Sequence, residues 1–330
     1  MKNYSVAVCG ATGLVGRAMA QILLERQFPV GRIRFFASSR SAGSKFNWND
    51  KEYATEELRE DSFDSMDFAL FSAGSDASKR FAPAAAAADC IVIDNSSAWR
   101  MEPDVPLIVP EVNAAALYSH KNIVANPNCS TIQLVVALKP LHDVFGLRRV
   151  IVSTYQSVSG AGQKGIDQLT DEIAGREPAH RISAHRLAYN TVFHNFSRNE
   201  DFTEEEIKIK QETRKILNLP DLRITATCVR LPVSGGHGAS VNIETEISAS
   251  PGDVRRILAQ ARGIKVCDEP FSHHYPTTLG AAGTDYVYAG RIRRDDSAEN
   301  GLHLWITADN IRKGAATNAV QIAEELIRPA

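Results

Sequence analysis

Residues 4–27 set the strongest limit on how this chain folds, because a strand, a glycine-rich turn and a helix follow one another without a break. Residues 4–9 are short and apolar. Gly10-Ala11-Thr12-Gly13-Leu14-Val15-Gly16 follows, then a helical run to about Gln27. Glycines permit a tight turn and let backbone approach a pyrophosphate, which the free N–H groups of a helix start attract. The spacing is G-x-x-G-x-x-G rather than G-x-G-x-x-G, so two readings stay open: a phosphate-binding loop or a plain strand-to-helix turn. The next strand, residues 32–37, ends in Ser38-Ser39-Arg40-Ser41-Ala42-Gly43, with no acid to bond ribose hydroxyls. Arg40 with the hydroxyls of Ser38 and Ser41 suits a 2′-phosphate, which favours NADP over NAD; a polar surface loop is the alternative.

Strand-then-helix units repeat. Residues 66–71 run into Ser72-Ala73-Gly74-Ser75 and a helix containing the 84–88 alanine run, with Pro83 in or near it. Residues 91–93 run into Asp94-Asn95-Ser96-Ser97-Ala98-Trp99-Arg100. Residues 107–109 and 123–125 are expected as the last strands. Such a repeat argues for a parallel sheet covered on both faces, with ligands at the carboxyl ends of its strands, where Ser72 and Gly74 lie.

The last strand delivers the chain to Asn126-Pro127-Asn128-Cys129-Ser130-Thr131 and a long apolar helix to about Phe145. Pro127 keeps Asn126 out of helical geometry, and Asn128 is a good N-cap. A cysteine at a helix start meets unpaired N–H groups and the positive end of the dipole, which favour the nucleophilic thiolate. The other reading of Cys129 is a buried cysteine packed as a small hydrophobe.

Bulk numbers narrow the class. The 330 residues suffice for two domains, and 44% hydrophobic with 23% charged residues is ordinary for a globular protein. A net charge of −2 gives no basic footprint for nucleic acid. The five cysteines are widely spaced with no C-x-x-C, which argues against a disulfide framework or zinc ribbon and fits a reducing cytoplasm. The N-terminus enters a strand within a few residues, so no signal peptide is expected, and no apolar run reaches membrane length. No H-E-x-x-H occurs, and on extended backbone the neighbours His273 and His274 point apart, so no metal is expected.

In the second half, residues 149–155 form a β-prone run ending in Gln156-Ser157-Val158-Ser159-Gly160-Ala161-Gly162, and residues 163–174 look helical. Residues 178–199 lack periodicity; their arginines and histidines, His194 included, are expected at the surface. Thr203 and Glu206 form a capping box for a helix to about Leu217, on which Glu205 and Lys208 share a face. Strands are expected over 222–231 and 241–247. His237 falls between them, flanked by Gly236 and Gly238, where it is either a ligand-facing proton carrier or an exposed loop histidine; Arg230 precedes that loop. A helix over 252–262, strands over 285–294 and 301–307, and a last helix from Asn310 complete an α+β domain.

Together these stretches resemble the aspartate-β-semialdehyde dehydrogenase family over essentially the whole length. The matching residues are Gly10 to Gly16, Ser38 to Gly43, Asp94 to Arg100, Val109-Pro110-Glu111-Val112-Asn113, Asn126 to Thr131, Glu205-Glu206-Ile207-Lys208, Arg230 to His237, and Asn310 to Glu324. The resemblance implies an α/β protein: a Rossmann-like, mostly parallel NADP-binding domain over 1–127, completed by a helix within 310–330 packing back on it, and a catalytic and dimerisation domain over 128–309 with an open, mostly antiparallel sheet. It implies cytoplasmic, reversible, NADPH-dependent reductive dephosphorylation of L-aspartyl-4-phosphate, serving lysine (through diaminopimelate), threonine, methionine and isoleucine synthesis, and a homodimer without metal, nucleic acid or membrane. By resemblance, Cys129 attacks the acyl carbon and forms a thioester, His237 is the acid/base, and Gln156 orients the intermediate. Arg230 grips the α-carboxylate, Glu205 faces the substrate ammonium, Arg100 and Lys208 hold inorganic phosphate, and Asn128 helps stabilise the oxyanion. Ser159, Gly160 and Asn318 fall at the nicotinamide end. The chain departs from the family after His237, where Gly238-Ala239 replace a frequent Ser-Glu. Reduction of a related acyl phosphate such as N-acetyl-γ-glutamyl-phosphate, or a silent dehydrogenase-like binding protein, are the alternatives; the Ser38 to Ser41 and Asp94 to Arg100 loops favour the aspartyl family.

Overall fold

A computed structural model describes residues 2–198 and 201–328. Asn199, the last residue of the stretch expected to be irregular, and Met1, Pro329 and Ala330, at the ends of the expected segments 1–127 and 310–330, lie outside the described residues. The chain divides into two compact units, Met1–Asn128 with Ala315–Ala330, and Cys129–Gly314.

The first unit is built on six parallel strands: β1 (Tyr4–Cys9), β2 (Val30–Ala37), β3 (Glu56–Glu57), β4 (Phe68–Phe71), β5 (Ile91–Asp94) and β6 (Ile123–Ala125). Their spatial order is β3-β2-β1-β4-β5-β6. The inner strands β1, β4 and β5 are largely buried on both faces, so alternate residues enter two separate cores. Val6 and Val8 join Phe35, Leu70 and Ile93 beneath helix α1 (Leu14–Glu25) and the C-terminal helix Thr317–Ile327. Ala7 and Cys9 join Phe36, Ala69, Phe71 and Val92 beneath helix α2 (Ser75–Ala87), which contains Pro83. The sequence is therefore right about the layers and wrong about one strand: of residues 107–109, only Leu107 makes a bridge, to Ala125. Pro106 and Pro110 bracket the segment, Pro110 begins a one-turn helix, and the Val109 N–H donates to Asn113 Oδ1 instead of to a ladder.

The second unit opens with helix α3 (Cys129–Phe145). Ser130 to Leu138 are all buried, as expected of a helix apolar on every side. The remaining elements are β7 (Leu147–Gln156), α4 (Gln163–Ile173), β8 (Val192–Phe193), α5 (Glu204–Leu217), β9 (Arg223–Arg230), β10 (His237–Thr245), α6 (Pro251–Gln260), β11 (Ile264–Val266), β12 (Val287–Asp295) and β13 (Gly301–Ala308). Their sheet runs β8-β9-β7-β10-β13-β12-β11. The β9/β7 and β12/β11 pairs are parallel and the other four antiparallel. Helices α3, α5 and α6 pack on one face. The other face carries Tyr155 against Trp305, their rings 5.5 Å apart, and a groove of about 560 Å³ that also reaches Leu231, Tyr275, Pro276 and Arg291.

Two expectations change here. The strand expected over 241–247 begins at His237 and ends at Thr245, leaving Ile247 exposed, so the glycine-flanked histidine is a strand residue. Its neighbour Gly238 points the other way, where a Cβ would lie 2.5 Å from the Trp305 indole. The last helix does not begin at Asn310: a π-turn over Arg312–Ala316 intervenes before Thr317. Among the described residues no helix is long and apolar enough to cross a membrane.

Glu206 ties α5 to the sheet. Its Oε2 accepts the Thr203 N–H at 2.7 Å, closing the capping box, and its Oε1 accepts the Cys228 N–H of β9 at 2.9 Å. Both donors are buried, so Glu206→Ala strands two of them. The expected cost is about 2–5 kcal/mol, read as a lower urea midpoint. A loss below about 0.5 kcal/mol would mean that the carboxylate is not a structural tie.

Candidate active site

In the first unit, the carboxyl ends of β1, β2 and β4 surround a cavity of about 480 Å³ lined by Gly10, Thr12, Gly13, Ser38, Arg40 and Ser72, among others. The chain order reverses on either side of β1, the position where open α/β sheets bind ligands. Gly10 has φ +83°, and a Cβ there would lie 2.3 Å from Ser72 O. A Cβ on Gly16 would lie 2.2 Å from Gly10 O, so the turn closes only with glycine at both positions. Gly13 caps α1, whose first turn, starting at Leu14, Val15 and Gly16, carries no acid to neutralise its positive end. Gly74 caps α2 with φ +88°. Ser38 and Ser41 lie in one turn, Ser41 N–H donating to Ser38 O at 2.8 Å, and Arg40 is exposed at the rim. A glycine cradle with a cation where an acid would otherwise sit fits a dinucleotide carrying a 2′-phosphate.

Arg100, Asn126 and Asn318 are buried in the same unit. Arg100 Nε donates to Asn126 O at 3.0 Å and Nη2 to Asn95 O at 2.9 Å. Asn318 Nδ2 donates to Asn126 Oδ1 at 2.7 Å and to Ile108 O at 2.9 Å. These bonds fix the segment that ends in Asn128, which is itself buried.

In the second unit, strand register assembles the chemistry. Arg230 lies opposite Gln156 in the β9/β7 pair, and Gln156 lies opposite His237 in the β7/β10 pair. Directly opposed residues face the same side of a sheet, so the three form one row on the helix-covered face. Cys129 is the first residue of α3, and a Cβ on Gly314 would come within 3.0 Å of its Cβ, so close packing holds the thiol's backbone. Burial lowers the pKa of Arg230, while Glu205 and a Cys129 thiolate oppose that shift, which puts both within electrostatic reach of the guanidinium.

Ser157 ties the row together. Its N–H donates to His237 Nδ1 at 3.1 Å, and its carbonyl accepts from Arg230 Nη1 at 2.7 Å. Its hydroxyl reaches His237 Nδ1 and Asn310 Oδ1, each at 3.1 Å, and Ser159 Oγ at 2.9 Å. Asn310 Nδ2 donates to Ser159 Oγ at 3.1 Å, and Asn310 Oδ1 accepts the Gly236 N–H at 3.1 Å. Because Nδ1 accepts a backbone N–H, the neutral ring of His237 carries its proton on Nε2. Nε2 is buried without a hydrogen-bond partner among the described residues. A Cβ on Gly160 would lie 3.3 Å from it and 3.4 Å from Arg230 Nη1, so this glycine keeps the space before the row open. Burial, then the Arg230 charge, pushes the His237 pKa down to about 3. Gln156 Nε2 donates to Glu205 Oε1 at 3.2 Å, and Glu205 Oε2 lies 3.6 Å from Lys208 Nζ. A buried neutral donor, a guanidinium, an amide and a carboxylate–ammonium pair beside a cysteine suit an amino-acid acyl group passing through a thioester.

Sequence reasoning missed Ser157 and Asn310, which carry no motif of their own. It also placed His194 at the surface, whereas the charges of Glu205, Arg230 and Lys208 all reach it. No periodic signal marks that position. Support for His237 comes from Ser157, not from the residues that follow His237. Among the described residues no group of three or more His, Cys, Asp or Glu is placed to hold a metal.

Family models match both units: a semialdehyde dehydrogenase NAD binding domain over residues 5–120 and a semialdehyde dehydrogenase dimerisation domain over residues 138–313. The chain is 50% identical to aspartate-semialdehyde dehydrogenase of Aquifex aeolicus, over 99% of this chain and 98% of that protein. It is 44% identical to the Bacillus subtilis enzyme of the same name, over 98% of each. A crystal structure of aspartate semialdehyde dehydrogenase II from Vibrio cholerae, complexed with ASA, matches with a TM-score of 0.95 at 43% identity and 99% coverage of both chains.

An unfolded histidine takes its proton near pH 6.5, His237 in the fold only at about 3. Between those values the unfolded state binds the extra proton, so folded stability falls as pH drops from 6.5 toward 3. Burial lowers the His194 pKa too, adding to the same trend. In urea unfolding between pH 7 and 4, wild-type stability should fall more steeply than that of His237→Asn, by up to about 1.4 kcal/mol per pH unit. Parallel slopes would mean that His237 is not held neutral.

Proposed function

From its membership of the aspartate-semialdehyde dehydrogenase family, to which this chain belongs along its whole length, we propose that the protein interconverts L-aspartyl-4-phosphate and L-aspartate-4-semialdehyde with NADP, through a thioester on Cys129. The observation that carries this reading is the row Arg230–Gln156–His237, with a cysteine at a helix start within electrostatic reach of it.

The Cys129 thiolate attacks the acyl carbon of the substrate, and the acyl–oxygen bond breaks to release phosphate. Arg230 holds the α-carboxylate as a two-pronged donor, and Glu205 faces the ammonium. Arg100 and Lys208 supply cations for the phosphate, and Gln156, anchored on Glu205, orients the acyl group. Gly10, Thr12, Gly13, Leu14, Val15, Gly16, Ser38, Arg40, Ser41, Ser72 and Gly74 would cradle NADP, with Ser159, Gly160 and Asn318 toward its nicotinamide, and the bound cofactor would supply or take the hydride. His237 keeps its Nε2 proton on the substrate oxygen, stabilising the oxyanion with Asn128 and the amides at the start of α3. Collapse of that oxyanion frees the aldehyde and restores the thiolate without net proton transfer. The acid/base role expected from sequence thus narrows, in this reading, to that of a hydrogen-bond donor.

The matched dimerisation domain and the open sheet face bearing Tyr155 and Trp305 support a homodimer formed through the second unit. The same reading places the enzyme in the cytoplasm, supplying lysine, threonine, methionine and isoleucine synthesis.

The direct test is NADP reduction on mixing L-aspartate semialdehyde with inorganic phosphate. Turnover should require both, and Cys129→Ala should abolish it while leaving NADP binding intact. Turnover in that variant would remove Cys129 from the nucleophile's role. Arg40→Ala should weaken NADP by about 10- to 100-fold and NAD by much less, since one charge-assisted contact is lost. Equal losses for the two cofactors would sink the 2′-phosphate assignment.

A further inference from the structure

The edge strand β8 runs antiparallel to β9, with Val192 opposite Arg230 and Phe193 opposite Val229. Continuing that register places His194 opposite Cys228, two positions from Arg230 along β9 and on the same face. His194 Nδ1 lies 3.3 Å from Cys228 O. A carbonyl only accepts, so Nδ1 carries the proton and the neutral ring presents a lone pair at Nε2. Nε2 is buried and makes no hydrogen bond among the described residues. A buried acceptor without a partner is costly unless a ligand satisfies it.

The charged groups that reach His194 are Glu205, Arg230 and Lys208, those that grip the amino acid and phosphate in the reading above. Burial is the largest influence and keeps the ring neutral. Glu205 is already engaged: Oε1 accepts from Gln156, and Oε2 lies 3.6 Å from Lys208. A substrate ammonium has three N–H donors, more than the capacity this carboxylate has left, and its charge calls for a neutral acceptor rather than another cation.

We propose that His194 is a substrate-binding, specificity-determining residue whose Nε2 accepts a hydrogen bond from the α-ammonium of the amino-acid aldehyde beside Glu205. The proposal rests on the aspartate-semialdehyde reading of the site. It makes recognition of the amine separable from recognition of the carboxylate, which belongs to Arg230.

The test compares wild type, His194→Phe and His194→Gln as full-length enzymes. Phenylalanine keeps a ring without an acceptor. Glutamine can donate to Cys228 O and still accept. Two constants are measured: KM for L-aspartate semialdehyde in the phosphate-dependent assay, and Ki for 4-oxobutanoate, which keeps the carboxylate and aldehyde but lacks the amine. His194→Phe should raise KM tenfold or more, with kcat within about threefold and Ki within about twofold of wild type. His194→Gln should stay within about threefold of wild type in KM. Should the phenylalanine variant fail to fold, His194→Leu makes the same comparison. An unchanged KM, a KM and Ki that rise together, or a glutamine variant as poor as phenylalanine would each overturn the proposal. Absence of wild-type turnover would overturn the parent reading instead.

Discussion

The strand register of the second unit is the constraint on which the chemistry depends. Arg230, Gln156 and His237 come from three strands, and only the pairings β9/β7 and β7/β10 make them neighbours. A slip of one residue in β10 would turn His237 to the face of Trp305 and bring Gly238 beneath the helices. The packing blocks that slip. Trp305 occupies the space that a side chain at residue 238 would need, and Val241 and Ile243 fill the core opposite Val152 and Val150. The geometry of the row is thus held by apolar residues elsewhere along the same strands.

Within that row, Ser157 couples two functions that are chemically opposed. One residue's N–H fixes the imidazole and its C=O fixes the guanidinium. The cation in turn helps keep the imidazole neutral, reinforcing what burial begins. A charged ring here would repel Arg230 and give up its hold on the Ser157 N–H. Arg230 and His237 should therefore behave as one unit, with substitution effects that do not add.

Much of this architecture was legible in the sequence. The short apolar strands, the glycine turn, the capping box at Thr203 and the cysteine at a helix start are local signals with local causes. What failed was non-local. His237 read as a loop residue because two glycines flank it, yet pairing with Gln156 and Ala308 makes it the buried first residue of a strand. Residues 107–109 read as a strand from their side chains, while the flanking prolines decided otherwise. His194 sits in a stretch without periodicity, and a two-residue edge strand, too short to leave a pattern, carries it toward the charges of Glu205, Lys208 and Arg230 on other elements. The roles of Ser157 rest largely on backbone atoms, which no residue type announces.

The first unit closes its core with residues from the far end of the chain. Ala316, Ala319, Val320, Ile322 and Ala323 pack with Val6, Val8 and Phe35, and Arg26 pairs with Glu324. On a ribosome the intervening residues take roughly 10–40 s to emerge. Through that interval the sheet made first lacks one wall, whereas the inserted unit is complete as soon as Gly314 is made. The unit started first is thus the last to be completed, and the apolar side that Ala316, Ala319, Val320, Ile322 and Ala323 cover stays open until those residues are made.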